Sequence, residues 1–141
     1  MSYQASASIF INAPIETVWD GLTQPKLVKQ YFFGTDLKTT WEIGTPIVFT
    51  GEWEGKAYED HGEVLSYDAP NSLSYTYWSG FAGKPDIPEN YQTVTYTVEQ
   101  KLKDVRVTIL QIGAETQESA DHSSDNWLNV LQALKKLIEQ K

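Results

Sequence analysis

The sequence predicts an α+β domain in which a curved, six-stranded antiparallel sheet surrounds one long C-terminal helix, with two short helices after the first strand. Residues 119–141 place apolar side chains at steps of three and four, which is the spacing of one helix face. Most of the chain before them alternates apolar with polar residues, as strands with one covered face do. The helix must bury its apolar face, and the sheet is the surface available to cover it. Residues 1–141 are expected to form this single domain.

Residues 3–30 contain the first strand and the two short helices. Tyr3–Ile11 alternates apolar with polar side chains, which predicts a strand. Pro14 ends this strand and suits the first turn of a helix that runs to about Leu22. Thr23 is the candidate cap of a second helix, from Pro25 to about Gln30. Because neither helix is long enough to cross a sheet, both are expected to brace one end of it.

Five further strands follow, separated by turns rich in Gly, Pro, Asn and Asp. Alternation predicts them at Ile47–Trp53, Tyr58–Tyr67, Leu73–Trp78, 93–98 and 105–110. The long connection Ser79–Asn90 contains two glycines and two prolines. An ordinary hairpin connection is the simpler interpretation of this segment, and a lid over a cavity mouth is the alternative.

The long helix is expected over Ser119–Lys141, with a start near Gln117 as the alternative. No Pro or Gly interrupts it, and three lysines near its end oppose the helix dipole. Its apolar stripe consists of Trp127, Val130, Leu131, Leu134, Leu137 and Ile138.

Composition and charge exclude several classes of function. The net charge of −8 repels phosphate backbones, so nucleic acid is not expected as a partner. The chain contains no cysteine, which excludes disulfides, thiolate catalysis and cysteine metal sites. The first residues lack the basic and apolar run of a signal peptide, and no apolar stretch is long enough to span a membrane. A cytoplasmic location is therefore expected.

Aromatic residues make up 13% of the chain, with five Trp and eight Tyr, which favours a thick core or a cavity lined with rings. Tyrosines on the inner face of the sheet need hydrogen-bond partners if they are buried; otherwise they reach the rim and touch solvent. Trp127 either packs the helix on the sheet or forms a wall of the cavity, and both roles are compatible. The predicted ligand-binding set that lines the cavity is Trp53, Val64, Tyr75, Tyr77, Tyr96, Trp127 and Leu131.

The remaining polar residues give little support for catalysis. His61 and His122 have no second ligand at metal spacing, so no metal site is predicted. No nucleophile elbow surrounds any serine. Clustered carboxylates near one hairpin are expected to form a solvated surface rather than acid–base pairs. These are Glu52, Glu54, Glu59, Asp60 and Glu63. The sequence therefore predicts no catalytic residue and no cofactor, and an enzyme is the less favoured class.

Several segments together form a recognisable family pattern. They are Ile11–Asp20, Trp41 with Gly44–Pro46, Gly62–Leu65, Pro70 with Leu73–Trp78, Asp86–Tyr91, Val94–Tyr96, and Asn126–Trp127 with Leu131, Leu134 and Leu137. In these segments the chain resembles the START-like, helix-grip superfamily, also called SRPBCC. Within it, the chain is similar to homologues of the C-terminal domain of the activator of the 90-kDa heat-shock protein ATPase. Family members commonly have Gly before the last Trp, where this chain has Asn126.

The resemblance implies a helix-grip fold with a cavity between the sheet and the long helix. It also implies that a hydrophobic small molecule or lipid is the partner, because most of the superfamily binds such ligands. A co-regulator of the chaperone follows from it as one alternative. A second alternative, an enzyme that acts on a cyclic or aromatic substrate, rests on the tyrosines, His61 and the carboxylates. The matching segments are specific for the fold and for no reaction.

Overall fold

The computed structural model describes residues 3–32, 34–53, 55–79 and 85–139, and for Trp53 only the backbone. The strands are β1 Tyr3–Ile11, β2 Asp36–Lys38, β3 Pro46–Trp53, β4 Lys56–Asp68, β5 Ser72–Ser79, β6 Gln92–Gln100 and β7 Val105–Ala114. The helices are α1 Ile15–Thr23, α2 Pro25–Tyr31 and α3 Gln117–Glu139, and a short 3-10 helix, Pro88–Asn90, precedes β6. All strand pairs are antiparallel, and the strands form one sheet in the order β1-β7-β6-β5-β4-β3-β2.

The helix-grip α+β fold predicted from the sequence is confirmed, with one more strand than expected. The additional strand, β2, extends the sheet beyond β3, where Leu37 lies opposite Phe49. It has only three residues, of which Leu37 alone is buried. So short a segment cannot display the alternation by which strands are recognised in a sequence.

The long helix α3 begins at Gln117, the earlier of the two starts considered. Thr116 caps this start, because its hydroxyl accepts a hydrogen bond from the Ser119 N–H at 3.0 Å. Leu131 and Leu134 in the middle of the helix are completely buried, as the apolar stripe requires. This stripe lies against the inner face of the sheet next to β1 and β7.

The same helix also covers the free edge of β1. Side chains of α3 satisfy backbone groups that a sheet edge would otherwise leave without partners. The Ser6 N–H donates to Ser124 Oγ (3.1 Å), the Asn12 N–H donates to Glu139 Oε2 (2.8 Å), and Lys135 Nζ donates to the Phe10 carbonyl (2.8 Å). The helix is therefore fixed to the sheet by polar contacts along an edge as well as by apolar packing on a face.

The short helix α1 packs against the last turns of α3. Gly21 permits this approach, because a Cβ there would lie 2.7 Å from Ile138 Cδ1. Thr23 does not cap α2 as predicted; it is the last residue of α1, and its hydroxyl donates to the Trp19 carbonyl at 2.9 Å. Gln24 precedes α2 instead and makes no side-chain cap.

One end of the space between the sheet and α3 is closed by rings. The Tyr67 ring on β4 lies 5.5 Å from both Trp19 and Trp41, and Trp19 Nε1 donates to Tyr67 Oη at 3.1 Å. Asp60 lies on the same strand seven residues earlier, which is roughly 23 Å away at about 3.3 Å per residue. The Tyr67 end of β4 is thus densely packed with rings, whereas the Asp60 end borders a cavity, which is described in the next subsection.

We expect Leu131→Ala to lower the free energy of unfolding by about 2–5 kcal/mol, because it removes a fully buried side chain from close-packed surroundings. The adjacent exposed position provides the control: Gln132→Ala should change stability by less than about 0.5 kcal/mol. Urea unfolding followed by circular dichroism measures both. Equal stability of the two variants would contradict the observed packing of α3.

A second prediction concerns the polar contacts at the β1 edge. Hydrogen bonds from the Asn12 backbone and then from Lys135 lower the pKa of Glu139 below its ordinary value of 4.5. A carboxylate with a lowered folded-state pKa stabilises the fold above its unfolded-state pKa, and this contribution is lost as pH falls through the folded-state pKa. Glu139→Gln should therefore reduce the difference between the urea midpoints at neutral and at acidic pH.

The control for this prediction is Asp125→Asn, an exposed carboxylate in the middle of α3. It should leave the difference between the two midpoints closer to that of the unaltered chain. If Glu139→Gln and the unaltered chain lose equal stability on acidification, the contact between Glu139 and β1 has no energetic role.

Candidate functional site

A cavity of about 720 Å³ lies between the inner face of the sheet and the N-terminal half of α3. This volume falls within the range of sites that bind small molecules. The helix contributes five lining residues: His122, Ser123, Asn126, Trp127 and Val130. His122 and Asn126 are exposed, whereas Val130 is buried, so the cavity opens to solvent at the start of α3 and closes towards its middle.

Aromatic rings form much of the wall. Phe49 is central among them, with ring centroids 5.7 Å from Tyr75, 6.1 Å from Tyr77 and 6.2 Å from Phe32. Phe32 continues the contact to Trp127 at 5.8 Å. The full aromatic lining is Phe32, Phe49, Tyr58, Tyr75, Tyr77 and Trp127. Because these rings contact one another, the wall is a continuous apolar surface on which a flat ligand could stack.

A glycine on β3 makes room for one ring of this wall, that of Tyr58. Gly51 on β3 has no side chain, and a Cβ at that position would lie 2.6 Å from the Tyr58 hydroxyl. The Tyr58 ring therefore occupies the place that a side chain at Gly51 would take. Its hydroxyl bonds Thr35 Oγ1 at 2.5 Å, which ties the segment after α2 to the cavity wall.

Polar side chains from four adjacent strands form a second part of the lining, which we term the polar belt: Asp60, Tyr77, Gln92 and Gln111. The Tyr77 hydroxyl donates to Asp60 Oδ2 at 2.6 Å, and Gln111 Nε2 donates to Gln92 Oε1 at 2.5 Å. The Trp127 indole N–H donates to Gln111 Oε1 at 2.6 Å, which links the belt to α3. Each of these side chains is held in place by a hydrogen bond, so the polar groups are preorganised.

The buried tyrosines remain neutral over the physiological pH range. Burial raises the pKa of Tyr75 well above 10.0, and electrostatic coupling to Tyr96 raises it further. Burial likewise raises the pKa of Tyr77, with the Asp60 charge as the next cause, and raises the pKa of Tyr96 to about 12. Tyr75 and Tyr96 share a hydrogen bond of 2.9 Å, so both deep hydroxyls have a partner. The site therefore presents phenols, not phenolates, to a ligand.

The residues predicted to line the cavity occupy three kinds of position. Tyr75, Tyr77 and Trp127 line it. Tyr96 lies behind the wall with its ring 6.1 Å from Trp127, and Val64 and Leu131 are completely buried in the core. The side chain of Trp53 lies outside the described residues. Direct contact of any of them with a ligand stays a prediction.

Sequence reasoning missed the acidic member of the belt. Asp60 was assigned to a solvated cluster, but it is only 8% exposed and faces the cavity, so that assignment is wrong for this residue. Asp60, Gln92 and Gln111 each share the inner-face parity of apolar neighbours in their strands, such as Val64 and Val94. A polar residue on an otherwise apolar strand face is the signal that could have indicated these positions. The interior of a protein accepts a polar side chain only when it has a hydrogen-bond partner.

The remaining candidates lie elsewhere. His61 is on the outer face of β4, where it bonds Glu59 Oε2 at 3.2 Å and Asp86 Oδ2 at 2.7 Å and stacks on Trp78. Hydrogen bonds from Tyr91 and then from His61 lower the pKa of Asp86. These contacts attach residues 85–91 to the sheet, whereas residues 80–84 of the predicted connection lie outside the described residues.

Two further classes of site find no support in the described part of the chain. Asp60 is the single carboxylate among the described lining residues, so no pair of acidic groups converges in the cavity as an acid–base mechanism would need. Residues 3–32, 34–53, 55–79 and 85–139 contain no group of His, Asp and Glu side chains arranged to hold a metal ion. None of the described helices is long and apolar enough to cross a membrane.

Solved structures share this architecture. A solution structure of ChR145 from Cytophaga hutchinsonii is 44% identical, covers 98% of this chain and 94% of its own, and superposes with a TM-score of 0.85. Protein MLL2253 from Mesorhizobium loti is 20% identical over 99% and 98% of the two chains, with a TM-score of 0.80. CalU16 from Micromonospora echinospora is 16% identical over 98% and 86%, with a TM-score of 0.74. The last two likenesses concern the fold alone.

None of the curated proteins matches the chain. One family matches residues 12–139, which extend from the end of β1 to the end of α3 and include every element that forms the cavity. On this match over most of its length, the chain belongs to the family described as Activator of Hsp90 ATPase homolog 1-like protein.

Proposed function

We propose that the protein binds a hydrophobic small molecule or lipid in the cavity between the sheet and α3. The observation that carries this proposal is an unfilled space of about 720 Å³ with six aromatic side chains in its lining. Protein interiors are close-packed, and a space of this size would not be kept for stability alone. A ligand that fills it would recover the packing contacts that the lining residues lack.

The energetics favour a compact ligand with rings. Each 200 Å² of apolar ligand surface that is buried contributes about 5 kcal/mol before the costs of association. The wall of Phe49, Tyr75 and Tyr77 offers stacking surfaces, and the hydroxyl and amide groups of the polar belt supply directional contacts. Apolar area would thus supply affinity, whereas the belt would orient the ligand.

A second candidate is regulation of the 90-kDa heat-shock chaperone, and its support is the family to which the chain belongs. Ligand binding would use the interior cavity, whereas a co-regulator would contact the chaperone through the outer surface of the protein. Measuring the chaperone's ATP hydrolysis with and without the protein tests this candidate. An unchanged rate, together with no detectable complex, would remove it.

The cavity proposal predicts binding of a neutral, fluorescent apolar probe, N-phenyl-1-naphthylamine. We expect its emission to rise on binding, and Ser123→Trp to weaken binding at least about tenfold, because the new indole would occupy space that the ligand needs. Backbone amide shifts of Gln111 and the indole N–H shift of Trp127 would locate the probe.

Leu128→Trp is the matched control, because it introduces the same side chain at an exposed position of the same helix that does not line the cavity. It should leave the probe's affinity unchanged. The proposal is wrong if the unaltered protein shows no binding, or if both tryptophan variants bind the probe as well as the unaltered protein does.

A further inference from the structure

We propose that the ligand presents a neutral hydrogen-bond acceptor, the carbonyl oxygen of an aromatic ketone or quinone, to the side-chain amide of Gln92. This inference rests on the proposed function and specifies the chemical class of the ligand at the same cavity. Three observations lead to it: the direction of the hydrogen bonds in the polar belt, the N–H groups that these bonds leave over, and the position of Gln92 beside the aromatic wall.

The first observation is that one indole sets the orientation of two amides. An indole N–H can only donate, so the atom of Gln111 that Trp127 Nε1 contacts at 2.6 Å must be the amide oxygen. The nitrogen of Gln111 is then the atom that contacts Gln92 at 2.5 Å, and its acceptor must be the amide oxygen of that residue. The amide nitrogen of Gln92 therefore ends the chain of hydrogen bonds that begins at Trp127.

The second observation concerns the N–H groups that this chain of hydrogen bonds leaves over. Each side-chain amide nitrogen carries two N–H groups. Gln111 uses one of its two on Gln92, and neither N–H of Gln92 has an acceptor among the described residues. Both residues line the cavity, and Gln111 is only 7% exposed. The belt can thus offer a ligand two N–H groups from Gln92 and one from Gln111.

These donors select among hydrophobic ligands. A purely apolar ligand would displace water from the two amide nitrogens and leave N–H groups without an acceptor, which costs affinity. A carbonyl oxygen has two lone pairs, so it can accept from both amides at once. A carboxylate would need a compensating cation in so enclosed a place, and no Lys or Arg occurs among the described residues that line the cavity. The lining therefore favours a neutral acceptor.

The third observation places these donors next to the rings. Gln92 lies directly opposite Tyr77 in the β5–β6 ladder, and the Cβ atoms of such a pair are about 5 Å apart. The Tyr77 ring is in turn 6.1 Å from the Phe49 ring. Gly113 on β7 leaves room for the Gln92 stem, because a Cβ there would lie 3.1 Å from Gln92 Cγ. A ring stacked on Tyr77 or Phe49 would thus bring a carbonyl group attached to it within reach of the Gln92 amide.

Two probes of nearly the same shape test the inference: 2-acetylnaphthalene and 2-isopropenylnaphthalene, in which a methylene group replaces the carbonyl oxygen. Each is titrated at pH 8 while the Trp127 indole N–H and the Gln111 amide are followed by NMR. Gln92→Glu keeps an acceptor for Gln111 but, when ionised, replaces the free N–H groups with lone pairs. We expect it to lower the ratio of the hydrocarbon's Kd to the ketone's Kd at least about tenfold, because the carbonyl loses its donors and meets an acceptor instead.

Gln132→Glu is the matched control, because it makes the same change of charge at an exposed position of α3 that does not line the cavity. It should leave the ratio of the two dissociation constants unchanged. If Gln92→Glu does not fold, the unaltered protein still decides the question through the carbonyl ¹³C signal of the labelled ketone. Hydrogen bonds to the amides should move this signal downfield of its position in cyclohexane, and the side-chain N–H signals of Gln92 should shift with the ketone more than with the hydrocarbon.

The outcomes separate this inference from the proposed function. If both probes bind and Gln92→Glu leaves the ratio of their dissociation constants unchanged, the ligand class is wrong while binding in the cavity stands. The same holds if the bound ketone's carbonyl signal matches that in cyclohexane. If neither probe shifts the Trp127 and Gln111 signals, the proposed function fails, and the inference fails with it.

Discussion

The docking of α3 on the sheet is the interaction on which both the fold and the cavity depend. The apolar stripe of this helix begins at Trp127, and the turns before it direct small or polar side chains such as Ser123 and Asn126 towards the space above the sheet. From Val130 onwards the stripe packs tightly, with Leu134 completely buried. The side chains of α3 that face the sheet are small or polar before Trp127 and large and apolar after it. The layer therefore has an open space beside the N-terminal half of the helix and a solid core beside its C-terminal half.

The same helix solves a second problem of the sheet. An edge strand with unpaired backbone groups is a template for association with other chains, and β1 is such an edge. Polar side chains of α3 bond to β1 at both of its ends, through Ser124 near the start of the strand and Glu139 just after it. The opposite edge, β2, is only three residues long. One helix therefore covers an edge and a face, which explains why its position is strongly determined.

The polar belt gives the cavity its chemical character. Its members interrupt the apolar inner face on neighbouring strands, and hydrogen bonds connect them in pairs: Tyr77 with Asp60, and Gln111 with Gln92. A network of this kind costs stability unless it is satisfied, and here every member has a partner. Trp127 belongs to both parts of the lining: its ring packs on Phe32 in the aromatic wall, and its indole N–H donates a hydrogen bond to Gln111 in the polar belt.

The sequence by itself determined the class of the fold, the approximate positions of the main strands and the buried stripe of α3, because these follow from repeats of two and of 3.6 residues that neighbours along the chain reveal. It did not reveal β2, the helix cover over β1 or the burial of Asp60 at the cavity. Those depend on which residues meet after folding, and residues such as Asp60, Phe49 and Tyr77 become neighbours only through the pairing of strands. Parity places Phe49 and Tyr77 on the inner face, but only the tertiary structure decided that a space remains there and that the buried side chain of Asp60 borders it.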